Sequence, residues 1–133
     1  MGKKIMVVDD DKNFLDELAE VLSLGGFEVV GVNDPREAIE KVRSAKPDLV
    51  LLDLRMPGRS GFQIADELKH SQEFMHLPVL AMSGFFTEVE HMLLMNLCGI
   101  QKCLKKPLNP DNVIAQITEV LAKTDRLKRR EKS

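Results

Sequence analysis

Four strand-like segments of this sequence each run into polar side chains of a different kind. The polar residues are Asp9 and Asp10 after residues 4–8, Asp53 after residues 48–52, Ser83 after residues 77–82, and Lys106 after residues 103–105. The carboxyl ends of parallel strands lie at one edge of a sheet, where ligands bind. Three carboxylates, a hydroxyl and an ammonium that meet at such an edge suit a hard cation and a phosphoryl group.

Strand and helix patterns alternate along the chain, which is typical of βαβ units and a parallel sheet. Residues 49–53 are apolar without alternation, as expected for a central strand covered on both faces. We predict an α/β fold with a doubly wound five-stranded parallel sheet in the order 2-1-3-4-5 and five helices, the flavodoxin-like arrangement. In that order the first and third strands are neighbours, so Asp9, Asp10 and Asp53 are expected to lie close together.

Two helix starts have local signals in the sequence. Asp34 can cap a helix that has Pro35 at its first position, and Glu37 would complete a capping-box-like arrangement. Asn109 similarly precedes Pro110 at the start of the last helix. The second and fifth helices are therefore predicted to open at these residues.

Length and composition favour one globular domain. The chain has 133 residues, of which 44% are hydrophobic and 30% charged. No apolar stretch approaches the roughly 20 residues that span a bilayer, and the N-terminus has no long apolar segment typical of a secretory signal. We therefore expect a cytoplasmic location and no membrane partner.

The net charge of −2 hides an asymmetry between the body of the chain and its end. Residues 123–133 carry six Lys/Arg against two Asp/Glu, whereas residues 1–122 carry 13 against 19. An acidic body argues against nucleic-acid binding by the domain itself. We predict a domain over residues 1–122, and a basic C-terminal helix extension or linker stub over residues 123–133.

Carboxylates that lie close together can bind a cation and can react with a phosphoryl group. They raise one another's pKa unless a cation neutralises them, and Mg²⁺ is the natural candidate because it prefers oxygen ligands. A carboxylate can also attack phosphorus to form an acyl phosphate. Taken singly, each residue has an ordinary alternative: an Asp at a helix start is often an N-cap, and an Asp after a strand is often a turn residue.

Four motifs together resemble the receiver domain of two-component response regulators. They are VVDDD at 7–11, LLDLRMPG at 51–58, MSG at 82–84 and LKKP at 104–107. The resemblance covers roughly residues 3 to 122, which would be the receiver domain. It implies a phosphorelay protein whose Asp53 accepts a phosphoryl group from a sensor histidine kinase or a histidine phosphotransfer protein.

The resemblance also implies a metal site. Asp10 would bind Mg²⁺ directly, Asp9 would help through water, and Arg55 would contribute its backbone carbonyl, beside Asp53 itself.

The remaining roles concern the phosphoryl group. By the same resemblance, Lys106 would bind the phosphate and Ser83 would turn its hydroxyl toward it. Pro57 and Gly61 would shape the loop after Asp53. The protein would then be a signalling switch with autophosphorylation and autodephosphorylation activity rather than a metabolic enzyme.

One position departs from the family pattern and bears on signal transmission. Cys103 stands where the family usually has an aromatic residue, so a switch based on a moving ring is not expected in its usual form. The helix predicted at about residues 87–97 is apolar on more than one face. It could contribute to a homodimer or effector surface made by helix 4, strand 5 and helix 5.

Three other functions remain open from the sequence. A phosphohydrolase of the haloacid-dehalogenase kind would want a second Asp two residues after the nucleophile, where this chain has Arg55. A flavodoxin relative would want a Ser/Thr/Gly-rich phosphate loop after the first strand, where this chain has acids. A receiver-like interaction module that is never phosphorylated is the last alternative.

Overall fold

The computed structural model describes residues 2–84 and 89–131. Within these ranges, strands and α-helices alternate from β1 to α5. The strands are β1 (Lys4–Val8), β2 (Glu28–Val32), β3 (Leu49–Asp53), β4 (Val79–Ser83) and β5 (Ile100–Lys105). The helices are α1 (Lys12–Leu24), α2 (Ala38–Ala45), α3 (Gly61–Lys69), α4 (Val89–Leu97) and α5 (Pro110–Glu131).

All five strands are parallel and lie in the order β2-β1-β3-β4-β5, which confirms the predicted sheet. The register aligns the strand ends that carry the polar residues. Val8 lies opposite Leu52, and Asp53 lies opposite Met82. Asp9, which follows Val8 directly, is thereby placed next to the end of β3.

Alternate residues of the central strands point to opposite faces of the sheet, and helices cover both faces. Met6 and Val50 belong to the cluster packed against α2, α3 and α4, whereas Ile5 and Leu51 belong to the cluster packed against α1 and α5. Every residue of β3 is buried. This explains why β3 has no polar alternation, because neither of its faces meets water.

The predicted start of the second helix needs a correction. Asp34 accepts the backbone N–H of Arg36 at 3.0 Å, and the N–H of Glu37 goes to the backbone oxygen of Asp34. The result is a short 3₁₀ turn over Pro35–Glu37, and α2 begins only at Ala38. Asp34 thus caps this turn with Pro35 at its start, but its carboxylate accepts the N–H of Arg36 and not that of Glu37, so the predicted capping-box-like arrangement does not open α2.

A capping box does form at α3, where the sequence patterns did not single it out. The Ser60 hydroxyl accepts the N–H of Gln63 at 3.2 Å, and the Gln63 side chain accepts the N–H of Ser60 at 2.9 Å. This reciprocal pair fixes the start of the helix that follows the loop after Asp53.

The start of α5 agrees with the prediction, since the Asn109 side chain accepts the N–H of Asn112 at 3.0 Å. The helix then continues without a break from Pro110 to Glu131. Of the predicted fourth helix, residues 87 and 88 lie outside the described residues. Within the described ranges, no helix is both long enough and apolar enough to cross a bilayer.

Candidate functional site

Three carboxylates meet at the carboxyl edge of the sheet, as the sequence predicts. Asp9, Asp10 and Asp53 each offer one oxygen atom, and these atoms lie within 4.8 Å of one another. Asp9 and Asp53 are buried, whereas Asp10 is exposed. Because buried carboxylates at this spacing repel each other in a medium that screens poorly, the cluster suits a divalent cation with oxygen ligands.

The residue that caps α1 is different from the aspartates that form the carboxylate cluster. Asp11, not Asp9 or Asp10, is the N-cap of α1, and its carboxylate accepts the N–H groups of Asn13 and Phe14 at 3.1 and 3.2 Å. Asp9 accepts the N–H of Asp11 at 2.9 Å through one oxygen. The ordinary role of an Asp at a helix start is thus taken by the third acid of the run, which leaves the first two for the cluster.

Lys106, which is distant from these aspartates in the sequence, contacts two of them. Its Nζ lies 2.8 Å from Oδ2 of Asp9 and 3.6 Å from Oδ1 of Asp53. The same Nζ lies 4.2 Å from the centroid of the Phe14 ring. The backbone N–H of Lys106 donates to the oxygen of Ser83 at 2.8 Å, which anchors the lysine beside the end of β4.

Ser83 and Arg55 both lie next to Asp53. Ser83 is buried and ends β4, one residue beyond Met82, the partner of Asp53 in the register. The backbone N–H of Arg55 donates to Oδ1 of Asp53 at 3.4 Å, a long hydrogen bond, and the Arg55 side chain is exposed. The structure therefore brings Asp9, Asp10, Asp53 and Lys106 into one cluster, and it places Ser83 and the backbone of Arg55 beside Asp53. The predicted metal contact of the Arg55 carbonyl stays a prediction.

The charge environment of Asp53 is unfavourable for its ionised form. Burial is the main cause that raises the pKa of the Asp53 carboxyl, and the nearby Asp9 carboxylate raises it further, while Lys106 opposes the shift. The ionised carboxylate is thus held at a cost, which an additional cation at the cluster would reduce.

This raised pKa predicts how replacing Asp53 changes stability with pH. The folded state favours protonated Asp53. The group therefore destabilises the fold increasingly as the pH rises from 3.8, the ordinary pKa of an Asp carboxyl, through its raised pKa in the folded state. In chelator, Asp53→Asn is therefore expected to be more stable than the wild type at pH 7, by on the order of 1 kcal/mol. The gain should shrink as the pH falls toward 4. Urea unfolding across this pH range checks it, and an equal gain at every pH would contradict it.

Gly61 lies where the chain passes closest to the backbone of Asp53. A Cβ built on Gly61 would collide with the backbone oxygen of Asp53. The N–H of Gly61 donates to the oxygen of Leu54 at 3.3 Å, which ties the start of α3 to the end of β3. Any side chain at this position would displace the strand end that carries Asp53. Pro57, the other loop residue predicted to matter, is exposed.

Cys103 is half-buried on β5 and packs against the cluster that faces α4. Burial raises the pKa of its thiol to about 11, so the thiol stays protonated at neutral pH. Both cysteines are free, and Cys98 is buried. The structure thus gives Cys103 the character of a small packing residue.

Sequence patterns missed the role of one residue at the site. Phe14 has helical spacing with Leu15 and Leu18 and reads as a core residue of α1. In the structure it is half-buried and its ring faces the Lys106 ammonium. No local signal could reveal this contact, because the two residues are far apart in the chain.

The sequence matches a family model described as the response regulator receiver domain over residues 5–118. It is 30% identical over 125 residues to the alkaline phosphatase synthesis transcriptional regulatory protein PhoP of Bacillus subtilis, covering 94% of this chain and 51% of that protein. It is 28% identical over 124 residues to the phosphate regulon transcriptional regulatory protein PhoB of Pseudomonas aeruginosa, covering 93% of this chain and 54% of that protein. The chain thus spans about half the length of these curated relatives.

Solved structures agree with the sheet topology. The chemotaxis protein CheY4 of Vibrio cholerae superposes with a TM-score of 0.85 at 26% identity, over 90% of this chain and 99% of that chain. A CheY-like response regulator receiver domain protein from Methanospirillum hungatei superposes with a TM-score of 0.86 at 23% identity, over 95% of this chain and 98% of that chain. At that identity the second likeness concerns the fold alone.

Proposed function

This chain belongs to the response regulator receiver domain family, and we propose that it is a phosphorylatable receiver of a two-component phosphorelay. Asp53 would accept the phosphoryl group, and the change would alter the surface that a partner meets. The observation that carries the proposal is the buried pair Asp9 and Asp53, with Asp10 beside it and Lys106 closing it.

The proposed reaction is a phosphoryl transfer between two side chains. An Oδ atom of Asp53 attacks the phosphorus of a phosphohistidine on a kinase or phosphotransfer protein, the P–N bond breaks, and the histidine leaves with its electron pair. Water later attacks the acyl phosphate and releases inorganic phosphate. This makes the protein a switch that catalyses its own phosphorylation and dephosphorylation rather than a metabolic enzyme.

We propose Mg²⁺ as the cation of the cluster. Asp9, Asp10, Asp53 and the backbone carbonyl of Arg55 would hold it, and the carboxylate donors and their spacing fit a hard divalent ion. The ion would supply positive charge to the oxygens of the transferring group. Lys106 would supply a second positive charge, since its ammonium already contacts Asp9 and Asp53.

Ser83 would report the state of Asp53. Its buried position at the end of β4 and the hydrogen bond from the Lys106 N–H to its backbone oxygen support a hydroxyl that meets a phosphoryl group. Cys103 lies two residues before Lys105, the register partner of Ser83, and replaces the aromatic residue usual in the family. Met92 and Met95 line a groove of about 440 Å³ with Cys103, and their flexible side chains could repack in place of a ring.

The surface of α4, β5 and α5 is our candidate for a homodimer or effector contact. Met92, Leu93 and Leu97 of α4 are exposed by 52%, 58% and 68%, which is unusual for large apolar residues clustered on one helix. Lys102 of β5 contacts Gln116 and Glu119 of α5, so this face also has a polar border.

The extent of the receiver and its location are also proposals. The family match ends at residue 118, and α5 continues to Glu131, so residues 123–131 would extend the last helix of a receiver over residues 1–122. This basic segment would be either a C-terminal helix extension or a linker stub. A cytoplasmic location and an absence of nucleic-acid binding by the acidic body remain our expectations.

The decisive experiment is phosphorylation by a small donor. The purified protein is incubated with Mg²⁺ and acetyl phosphate, and its intact mass is measured. We expect a gain of one phosphoryl group that disappears in Asp53→Asn and in chelator. Asp48→Asn is the matched control, because Asp48 lies on the opposite edge of the sheet, where its carboxylate accepts the N–H of Lys4.

A gain that survives Asp53→Asn would place the chemistry elsewhere. No gain with acetyl phosphate or with a phosphohistidine donor would favour the interaction module that is never phosphorylated. Hydrolysis of small phosphate esters without a stable acyl phosphate would favour the phosphohydrolase, although Arg55 stands where that class needs its second acid.

A further inference from the structure

We propose that Phe14 is a positioning residue that holds the Lys106 ammonium in place beside Asp9 and Asp53. The inference rests on the proposed phosphorylation of Asp53 and adds to it a residue that no motif of the site contains. In the proposed role Phe14 acts on the phosphoryl transfer only through the lysine.

The geometry around the ammonium supports this role. Asp9 lies 2.8 Å from Nζ, Asp53 lies 3.6 Å away, and the ring centroid of Phe14 lies at 4.2 Å. A cation within about 6 Å of an aromatic centroid is attracted by the negative face of the ring. The ammonium is thus held between the carboxylates and the ring, and the Lys106 side chain is only 23% exposed.

The backbone that carries the ring is fixed by the start of α1. The N–H of Phe14 donates to the Asp11 carboxylate that caps the helix, which sets the backbone of the first turn. Phe14 is half-buried against the cluster formed with α5, and it lines a groove of about 530 Å³ with Pro107 and Leu108. The ring thus already presents its face to the Lys106 ammonium before any phosphoryl group is present.

The ring is expected to raise the fraction of time that the Lys106 ammonium lies beside Asp9 and Asp53. Without the ring, the flexible Lys106 side chain would exchange its place at the carboxylates for water more often. An aliphatic residue at position 14 would keep most of the packing and lose the cation–π attraction. We expect the phosphorylation rate of Asp53 to fall by about three- to tenfold in that case.

The test combines a direct probe of the lysine with a rate. Carbon–proton nuclear magnetic resonance records the Lys106 ε-methylene signal, which the ring current of Phe14 should shift upfield; Lys106→Met identifies the signal by its loss. The rate of mass gain with acetyl phosphate and Mg²⁺ is measured in parallel. Phe14→Leu should lose the upfield shift and slow the reaction. Phe14→Tyr, which retains the ring, should keep the upfield shift and the wild-type rate.

Phe27→Leu is the matched control for packing. Phe27 is half-buried against the same cluster as Phe14, next to β2 at the amino edge of the sheet, away from Lys106. Its rate should equal that of the wild type. In the Lys106→Met background, Phe14→Leu should have no further effect on the rate, because the interaction it removes is already absent.

Several results would overturn the inference. These are an unchanged rate in Phe14→Leu, an equal loss in Phe14→Tyr and Phe14→Leu, and an equal loss in Phe27→Leu. If the wild type takes up no phosphate, the proposed function fails, and the Lys106 signal still decides the position of the ammonium. An upfield shift that survives Phe14→Leu would then refute the positioning role.

Discussion

Replacing Lys106 by methionine is expected to slow phosphorylation of Asp53 by about two to three orders of magnitude, the usual effect of removing one preorganised charge from a transition state. Within the described residues, Lys106 is the cation in contact with both buried carboxylates, at 2.8 Å from Asp9 and 3.6 Å from Asp53. Methionine keeps much of the side-chain length and removes the charge. The rate of mass gain with acetyl phosphate and Mg²⁺ measures the loss.

The same substitution should weaken the fold when no metal is present. Asp9 is fully buried, and removing one partner of a buried ion pair leaves the other charge uncompensated. We expect the free energy of unfolding in chelator at pH 7 to fall by about 2 to 3 kcal/mol. Mg²⁺ should stabilise Lys106→Met more than it stabilises the wild type, because the variant's cluster has lost its ammonium.

Lys105→Met provides the matched control, since Lys105 is the exposed neighbour in the sequence. It should change neither the rate nor the unfolding free energy by more than the small amounts typical of surface positions. Equal losses in the two variants would show that net charge, and not the contact with Asp9, is responsible. A Lys106→Met protein that phosphorylates at the wild-type rate would remove Lys106 from the site.

Replacing Gly61 by alanine is the second substitution expected to have a large effect. The added Cβ would lie well inside van der Waals contact with the backbone oxygen of Asp53. Neither side of this contact is a flexible side chain, so β3 or α3 must move. We expect the unfolding free energy to fall by about 2 to 3 kcal/mol, because relieving the overpacking displaces the backbone of β3 or α3. Phosphorylation should also become slower, because β3 carries Asp53.

Helix propensity makes this prediction sharper. Gly61 is the first residue of α3, where helix propensity gives glycine no advantage over alanine, so any loss must come from the clash. Gly84→Ala is the control for stability, since a Cβ there meets nothing within 4 Å. Urea unfolding compares the two variants. A Gly61→Ala protein as stable as the wild type would mean that the Gly61–Asp53 approach relaxes without cost.

Much of this fold follows from local patterns. The uninterrupted apolar run of β3, the polar residues after each strand and the alternation with helices were sufficient to predict the sheet order and the meeting of Asp9, Asp10 and Asp53. Right-handed crossovers leave few arrangements for such a chain, which is why topology could be derived without contacts. The start of α2 was predicted less well, because the Asp34 carboxylate binds Arg36 while the Asp34 backbone oxygen accepts the N–H of Glu37, which closes a 3₁₀ turn before the helix.

The sequence by itself therefore determined which chemical groups lie at the carboxyl edge and that carboxylates, a hydroxyl and an ammonium share it. Only the tertiary structure decided how they are arranged: Asp11 takes the helix cap, Lys106 bridges Asp9 and Asp53, and Phe14 covers the ammonium. The physical reason is range. Strand and helix periods act over a few neighbouring residues, whereas the Lys106–Asp9 pair joins groups 97 positions apart, whose contact depends on the packing of the whole sheet.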